Sequence, residues 1–361
     1  MPEQPRLGIF APFKAWGGIE RKIVTLCREF LAAGVRPRLI LTRGSEVPYP
    51  DNLPTEVEIV DLHSRRKIDA IVRLRQHLLE QPVSALLTAK DHAAKAAIIA
   101  RMSGVDVPVY IKVTNTLSQT LRRPGKRWTA RWLYAQADGI IANSSGVADD
   151  LRSTLGLSPG LLHVIHNPTV TSDFPQRASQ PVHHPWFNED VPVVVAAGRL
   201  TPQKDFSTLL NAFQRARRDR RMRLVFLGDG AGLSGLKHRA DQLGVSNDVD
   251  FPGSVDDPLP YMAKASGFVL SSRYEGLPNV LIEAMAVGTP VVATDCPSGP
   301  REILENGAHG PLVPVGDVEA LATGITRILD DPVPAAQLMA ACDRFHSGRI
   351  AQQYVQTLGL F

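Results

Sequence analysis

The sequence predicts an α/β protein made of two doubly wound parallel-sheet domains facing each other across a cleft. Three observations carry that expectation: short apolar runs alternate with helix-period segments, the rhythm breaks near mid-chain, and it then resumes. A length of 361 residues suits two domains, each large enough to bury its own core.

The first half opens on an apolar run at residues 7–11, the length of a buried strand. Gly17 and Gly18 then make a turn into an amphipathic helix with Ile23, Leu26, Phe30 and Leu31 on one face. Residues 38–42, 57–62, 85–88, 109–113 and 139–143 are further strands, most separated by helix-period stretches, an alternation that calls for a parallel sheet covered on both faces. Residues 169–190 have three prolines and no periodicity, and read as an interdomain linker, placed at 171–190. The rhythm returns with strands at 193–197, 223–227, 249–251, 267–270 and 291–294. Helices follow at 206–216, 235–243, 318–329 and 334–345. The domains are therefore expected at 1–170 and 191–346, with a last helix within 347–361 that packs back on the first domain.

Composition narrows the class. With 44% hydrophobic and 21% charged residues, the chain is neither disordered nor collagen-like nor a coiled coil. Its longest apolar run, 191–197, falls far short of the ~20 residues of a membrane span. The acidic, proline-rich start lacks the apolar centre of a secretory signal, and three scattered cysteines make neither a disulfide framework nor a zinc site. A cytoplasmic protein is expected. Charge is uneven: residues 1–180 hold 24 Lys and Arg against 16 Asp and Glu, net +8, whereas residues 181–361 are net −4. The first half is thus expected to face an anionic partner: nucleic acid, an anionic membrane or a phosphorylated small molecule.

Familiar motifs are missing. Gly228-Asp229-Gly230-Ala231-Gly232 has the wrong spacing for a dinucleotide fingerprint, and no P-loop, H-E-x-x-H or G-x-S-x-G occurs. Asp248-Val249-Asp250 has the D-x-D form of some cation-holding transferases but reads as a solvated turn. The informative stretch is 271–300. There a strand gives way to a glycine-containing loop, and a helix begins near Pro278 or Asn279, where proline costs nothing because the first N–H is unpaired in any case. Such a helix start attracts a phosphate. Glu275 in the loop and Glu283 in the helix would touch two parts of one extended polar ligand. Arg199 and Lys204, five residues apart beyond the strand at 193–197, are suited to a diphosphate, Arg by its fork and Lys as a point charge.

The Glu275/Glu283 pair, within E-G-L-P-N-V-L-I-E-A-M-A-V-G-T-P-V-V-A-T-D, resembles the E-x7-E signature of retaining glycosyltransferases of family four, bacterial enzymes of the cell-surface polysaccharide and lipopolysaccharide type with the GT-B fold. G-G-I-E-R at 17–21, I-I-A-N-S-S at 140–145, V-I-H-N-P at 164–168, G-R-L-T-P-Q-K-D at 198–205 and V-F-L-G-D-G at 225–230 are similar too, as is C-P-S-G-P-R-E-I-L at 296–304. The resemblance spans nearly the whole chain and is stronger in the second half. It implies two Rossmann-like domains, the first binding the acceptor and the second a nucleotide-diphosphate sugar.

It also implies roles. Glu275 would hydrogen-bond the donor sugar, Glu283 the nucleotide ribose, and Arg199 and Lys204 would neutralise the departing diphosphate. Gly17, Gly18, Gly230, Gly276, Leu277, Pro278 and Asn279 would approach the donor through their backbone, although Pro278 has no donor N–H. No metal and no cofactor beyond the sugar nucleotide is required. Where many members have a His near the donor sugar, this chain reads I-K-V-T-N-T-L-S, so Asn115 is the substitute there; Asp91 or His92 after the strand at 85–88 is another. The activity implied is transfer of a hexose or N-acetylhexosamine, UDP favoured over GDP as carrier, to a lipid-linked or polysaccharide hydroxyl. An epimerase or phosphorylase of the same fold is the alternative, and a basic nucleic-acid-binding module a distant one. Arg65, Arg66 and Lys67, with Arg127 and Trp128, combine cations and aromatics as an anionic membrane surface or its acceptor requires. A monomer or weak dimer, peripheral at the inner face of the plasma membrane and without nucleic acid, is the resulting expectation.

Overall fold

The computed structural model describes residues 4–12, 18–42, 53–64, 66–118, 121 and 124–361. It divides into two compact units, Met1–Pro168 with His346–Phe361, and Thr169–Phe345.

In the first unit β1 (Arg6–Phe10), α1 (Gly18–Ala32), β2 (Arg36–Leu41), β3 (Glu58–Asp61), α2 (Lys67–Glu80) and β4 (Ala85–Ala89) lead into α3 (Asp91–Met102) and β5 (Val109–Val113). Then follow α4 (Pro124–Tyr134), β6 (Gly139–Ala142), α5 (Ser145–Leu155) and β7 (Leu162–Val164). Among the described residues the strands form one seven-stranded parallel sheet, ordered β3-β2-β1-β4-β5-β6-β7. Strand side chains alternate between two apolar layers. Leu7, Ile9 and Leu87 join Leu26 and Phe30 of α1, while Phe10, Leu86 and Ile111 join Ala97 and Ile98 of α3. Ser144 starts α5 by accepting a hydrogen bond from the Val147 N–H at 3.2 Å, an ordinary serine cap.

The second unit runs α6 (Phe174–Ala178), β8 (Val193–Ala197), α7 (Phe206–Ala216), β9 (Arg223–Leu227), α8 (Leu233–Gln242), β10 (Val249–Gly253), α9 (Leu259–Lys264), β11 (Gly267–Leu270) and α10 (Asn279–Ala286). It closes with β12 (Val291–Thr294), α11 (Pro300–Ile303), β13 (Leu312–Val313), α12 (Val318–Asp330) and α13 (Ala335–Ala341). Its described strands make a six-stranded parallel sheet, ordered β10-β9-β8-β11-β12-β13. In α7, Phe206, Leu209, Leu210 and Phe213 recur at the period that keeps one helix face against the sheet. Both units are therefore doubly wound, as expected.

Three local expectations need correcting. Residues 171–190 are not a bare linker: they carry α6 and a tight turn at Pro185–Asn188 and fasten to the second unit. Arg177 holds Asp257 through two hydrogen bonds of 2.7 and 3.0 Å, and buried His184 meets Asp250 at 2.9 Å. The expected helix over 334–345 splits into α13 and a 3-10 turn at Asp343–Phe345. Asp248 is not solvated; it is buried between Arg217 and Arg223, so the D-x-D spacing serves ion pairs within the fold.

The last helix, α14 (Ser347–Thr357), belongs to the first unit. Its Ile350, Ala351 and Tyr354 enter the layer built by α1, and Tyr354 meets Phe30 edge-on at 6.0 Å between ring centres.

Candidate functional site

In each sheet the strand order reverses where the chain crosses from one side to the other, between β1 and β4 in the first unit and β8 and β11 in the second. Loops leaving the carboxyl ends of such neighbouring strands diverge and leave room for a ligand. In the second unit those are the loops after β8, with Arg199 and Lys204, and after β11, with Glu275.

The two loops are stitched together. The Lys204 ammonium donates to Glu275 Oε1 at 2.6 Å, and the Ser272 hydroxyl donates to the same oxygen at 2.7 Å. Ser271 Oγ donates to the Lys204 carbonyl at 2.7 Å, and the Arg273 N–H to the Gln203 carbonyl at 2.8 Å. Glu275 is 8% exposed, so this is a mostly buried ion pair with extra hydrogen bonds to the carboxylate, the arrangement in which a buried charge is tolerated. Gly198, at a φ of +144°, makes the approach possible: a Cβ there would lie 2.9 Å from Lys204 Cε. Asp205 next in the chain takes a left-handed φ of 48° and is held by Arg273 at 3.0 Å. Arg199 stands on the same loop, exposed, with no ion-pair partner among the described residues.

Below the carboxylate the Cys296 thiol is pushed up to about 12, by burial first and then by the Glu275 charge, with Lys204 opposing. Gly276, Leu277 and Pro278 are buried beside Glu275, and Ser298 Oγ donates to the Gly276 carbonyl at 2.9 Å. Pro278 caps α10 and Asn279 begins it, its Oδ1 accepting from Thr169 Oγ1 at 3.0 Å. Glu283 lies half-buried further along α10. Its charge reaches Arg177: burial works against that guanidinium, but hydrogen bonds and charge from Asp257, Asp173 and Glu283 outweigh it and hold its pKa up. Gly230 lies where the loop after β9 meets the loop after β8. At φ +156° a Cβ there would fall 2.8 Å from the Leu200 carbonyl, so glycine is needed for two loops of the protein to cross.

In the first unit Gly18 opens α1, exposed and with open space beside it; Gly17 lies outside the described residues. Asp91 begins α3, where Tyr134 donates to its Oδ1 at 3.0 Å and Lys95 to its Oδ2 at 2.8 Å. Asn115 is exposed in the loop after β5, and both residues line a cavity of about 660 Å³. His92 is exposed one residue along α3. Of the basic cluster, Arg65 and the Lys67 side chain lie outside the described residues, and Arg66 is exposed. Arg127 is exposed but its Nε donates to the Leu121 carbonyl at 2.7 Å, and Trp128 is 71% exposed.

Sequence reasoning missed three participants. Ser272 supports Glu275 from within the strand-end S-S, a signal too common to single out. Glu20, inside G-G-I-E-R, is buried and accepts from Lys90 at 2.6 Å, beside a Lys90 hydrogen bond to the Pro12 carbonyl at 3.0 Å. Lys112, the one charge in the strand V-Y-I-K-V, is buried and donates to the Tyr354 hydroxyl at 2.8 Å. Burial, with help from the Lys22 charge, lowers its pKa to about 7.

Both halves of the chain resemble known proteins. Residues 16–173 match Glycosyltransferase Family 4, and residues 183–344 match Glycosyl transferases group 1. The lipopolysaccharide core biosynthesis glycosyltransferase LpsE of Rhizobium meliloti is 36% identical over 198 residues, 55% of this chain and 56% of that protein. A Campylobacter jejuni protein, N-acetylgalactosamine-N,N'-diacetylbacillosaminyl-diphospho-undecaprenol 4-alpha-N-acetylgalactosaminyltransferase, is 30% identical over 244 residues, 65% of this chain and 64% of its own. The matches thus span between about half and two thirds of those relatives' length. Among solved structures, Anabaena Alr3699/HepE in complex with UDP has a TM-score of 0.85 at 21% identity, covering 99% of this chain and 100% of that one. The lipopolysaccharide outer core galactosyltransferase WaaB, in apo form, has a TM-score of 0.76 at 19% identity over 98% and 99%. At such identities the likeness speaks for the fold, GT-B.

Proposed function

The chain belongs to the GT-B glycosyltransferases of family four, its first half matching that family and its second half the group 1 glycosyl transferases, and from that premise we propose that it is a retaining, metal-independent sugar transferase. The donor is a nucleotide-diphosphate hexose or N-acetylhexosamine, with UDP favoured as carrier. The acceptor is a hydroxyl on a lipid-linked or lipopolysaccharide-type glycan. Relatives named for lipopolysaccharide and diphospho-undecaprenol acceptors, and a fold neighbour solved with UDP, favour this choice.

One observation carries the reading: the Lys204–Glu275 pair, fixed by Ser272 where β8 and β11 part. Glu275 Oε1 is taken by Lys204 and Ser272, which leaves Oε2 to accept from a hydroxyl of the donor sugar. Lys204 keeps two further N–H donors for the phosphate oxygens, and Arg199 adds its fork. As the bond from the sugar C1 to the β-phosphate oxygen breaks, negative charge grows on the diphosphate, and cations held in place beforehand stabilise it most at that moment. The acceptor oxygen attacks C1 from the face the diphosphate leaves, and its proton passes to the departing phosphate oxygen. Glycoside and nucleoside diphosphate are then the products, with the anomeric configuration kept. The two cations do the work a divalent metal would otherwise do.

The test is direct. Incubation with a panel of nucleotide sugars should give one or a few that raise the melting temperature and are consumed in the presence of acceptor. Proton NMR of the product should show the donor's anomeric configuration, and a chelator should leave the rate unchanged. An inverted product, or a rate abolished by chelation and restored by magnesium, contradicts the corresponding part.

A second element of the reading concerns place. Among the described residues no helix is long and apolar enough to cross a membrane. We infer peripheral attachment through the exposed Arg66, Arg127 and Trp128, with neighbouring Trp132 46% exposed.

A further inference from the structure

The 660 Å³ cavity of the first unit opens where α3, the loop after β5 and α4 converge. Its lining holds four lysines, Lys90, Lys95, Lys112 and Lys126, against one carboxylate, Asp91. Two of those ammonium groups are engaged elsewhere, Lys90 with Glu20 and Lys112 with Tyr354. Asp91 is already matched inside the wall by Lys95 and Tyr134. Lys126, in the first turn of α4, is exposed and has no ion-pair partner among the described residues. Among the described residues the lining thus leaves one ammonium, that of Lys126, which neither a carboxylate nor the Tyr354 hydroxyl matches. The opposing loop is held in shape, since the N–H groups of Leu117 and Ser118 donate to Asp150 at 2.5 and 3.2 Å. A lysine ammonium has three donors, so Lys95 serves a ligand without releasing Asp91.

Helix α4 supplies Gly125, Lys126 and Thr129 to this cavity and turns Trp128 and Trp132 to solvent. A group entering beside Lys126 would thus lie next to the aromatic face proposed to meet lipid.

We propose that this cavity is the seat of a phosphoryl-class oxyanion borne by the acceptor, with Lys126 and Lys95 as its cationic contacts. That the bearer is an acceptor rests on the transferase reading; the anion site itself does not.

Inorganic pyrophosphate is the probe, and the readout is residue by residue: mild acetylation of the full chain followed by peptide mass spectrometry. Pyrophosphate should slow acetylation of Lys95 and Lys126 by about threefold or more, as expected for ammonium groups in charge-assisted hydrogen bonds. Lys264, an exposed lysine of the second unit, should react as before. In Lys126→Ala the protection of Lys95 should fall away, whereas mere folding roles would leave it intact. Vesicles bearing a polyprenyl diphosphate, and separately a soluble sugar phosphate, tell whether the anion arrives on a lipid or on a glycan. Equal protection by uncharged N-acetylgalactosamine, absence of protection, or protection of Lys264 to the same degree overturns the proposal. Should every nucleotide sugar fail to bind while pyrophosphate still shields the two lysines, the transferase reading falls and the anion site stands.

Discussion

Glu275 shows what one oxygen atom's surroundings decide. Lys204 and Ser272 both reach Oε1, at 2.6 and 2.7 Å, so the carboxylate is oriented before any ligand arrives. Glu275→Gln and Lys204→Ala should each lower kcat by about 10²–10³-fold, the range seen when one preorganised electrostatic partner is removed. Ser272 acts through Glu275, and Ser272→Ala removes one hydrogen bond to a charged group, about 1.5–3 kcal/mol or roughly ten- to a hundredfold in turnover. Its kcat should change more than its KM, a split that a merely structural serine would not give. Glu275 and Lys204 were legible because their motif carries charge at a fixed spacing; Ser272 was not, because a serine pair at a strand end looks the same whether or not an acid hangs over it. Lys112 allows a test by pH. Its pKa is about 7 in the fold against 10.5 when unfolded, and Tyr354, its hydrogen-bond partner, stays neutral because burial pushes that phenol further up. Between those values the unfolded chain holds more protons, so this group's contribution makes stability rise with pH from 7 to about 10.5. The melting temperature of Lys112→Met, relative to the native chain, should be most favourable below pH 7 and lose that advantage as pH climbs toward 10. A difference that stays flat over the range contradicts a depressed lysine.

Helices and strands were the most readable part of the chain because each had to hide a continuous apolar surface. The alternation of β and α segments predicts both sheets, and α7 has the bounds its periodicity implies. Irregular elements escaped for the opposite reason. The short helix α6 and the turn at Pro185–Asn188 bury little by local pattern and are held by partners remote in sequence, Asp257 for Arg177 and Asp250 for His184. Residues 334–345 carry enough apolar side chains for one helix, but the chain breaks after α13 so that Phe345 can enter the core while its carbonyl accepts from the Thr169 and Val170 N–H groups, each at 3.1 Å. No window of sequence contains that bargain. Helix α14 makes the case measurable. Its Tyr354 is fully buried against Phe30 and Lys112, so Tyr354→Ala should cost about 3–5 kcal/mol, as large aromatic truncations in cores do. Chemical denaturation followed by the tyrosine and tryptophan signal checks it, and a loss under about 1 kcal/mol would mean that α14 does not hold the first unit together.

At the scale of the whole molecule the uneven charge becomes an argument about place. Net +8 over residues 1–180 and −4 over 181–361 leave one part of the chain suited to an anionic surface and the other repelled by it. Most of the exposed large apolar side chains among the described residues lie in the positive part too. Ile68 and Val72 on α2, Ile99 and Met102 on α3, and Trp128 and Trp132 on α4 are all exposed, and the three helices are neighbours in sequence along one layer. Charge without apolar surface would give weak binding that salt abolishes, since screening acts within about 10 Å at 0.1 M. Apolar surface without charge would give binding indifferent to lipid headgroup. The combination predicts both dependences at once: flotation with phosphatidylglycerol vesicles, loss on going to neutral lipid or to high salt, and a residual salt-insensitive fraction that Trp128→Ser with Trp132→Ser removes. Each basic side chain near the surface is worth about 1 kcal/mol, so Arg66→Ser with Arg127→Ser should weaken binding by roughly tenfold or more. Two outcomes would count against this account. Binding that survives both double substitutions places the contact elsewhere, and a wild-type chain that fails to float at low salt removes the membrane from its partners altogether.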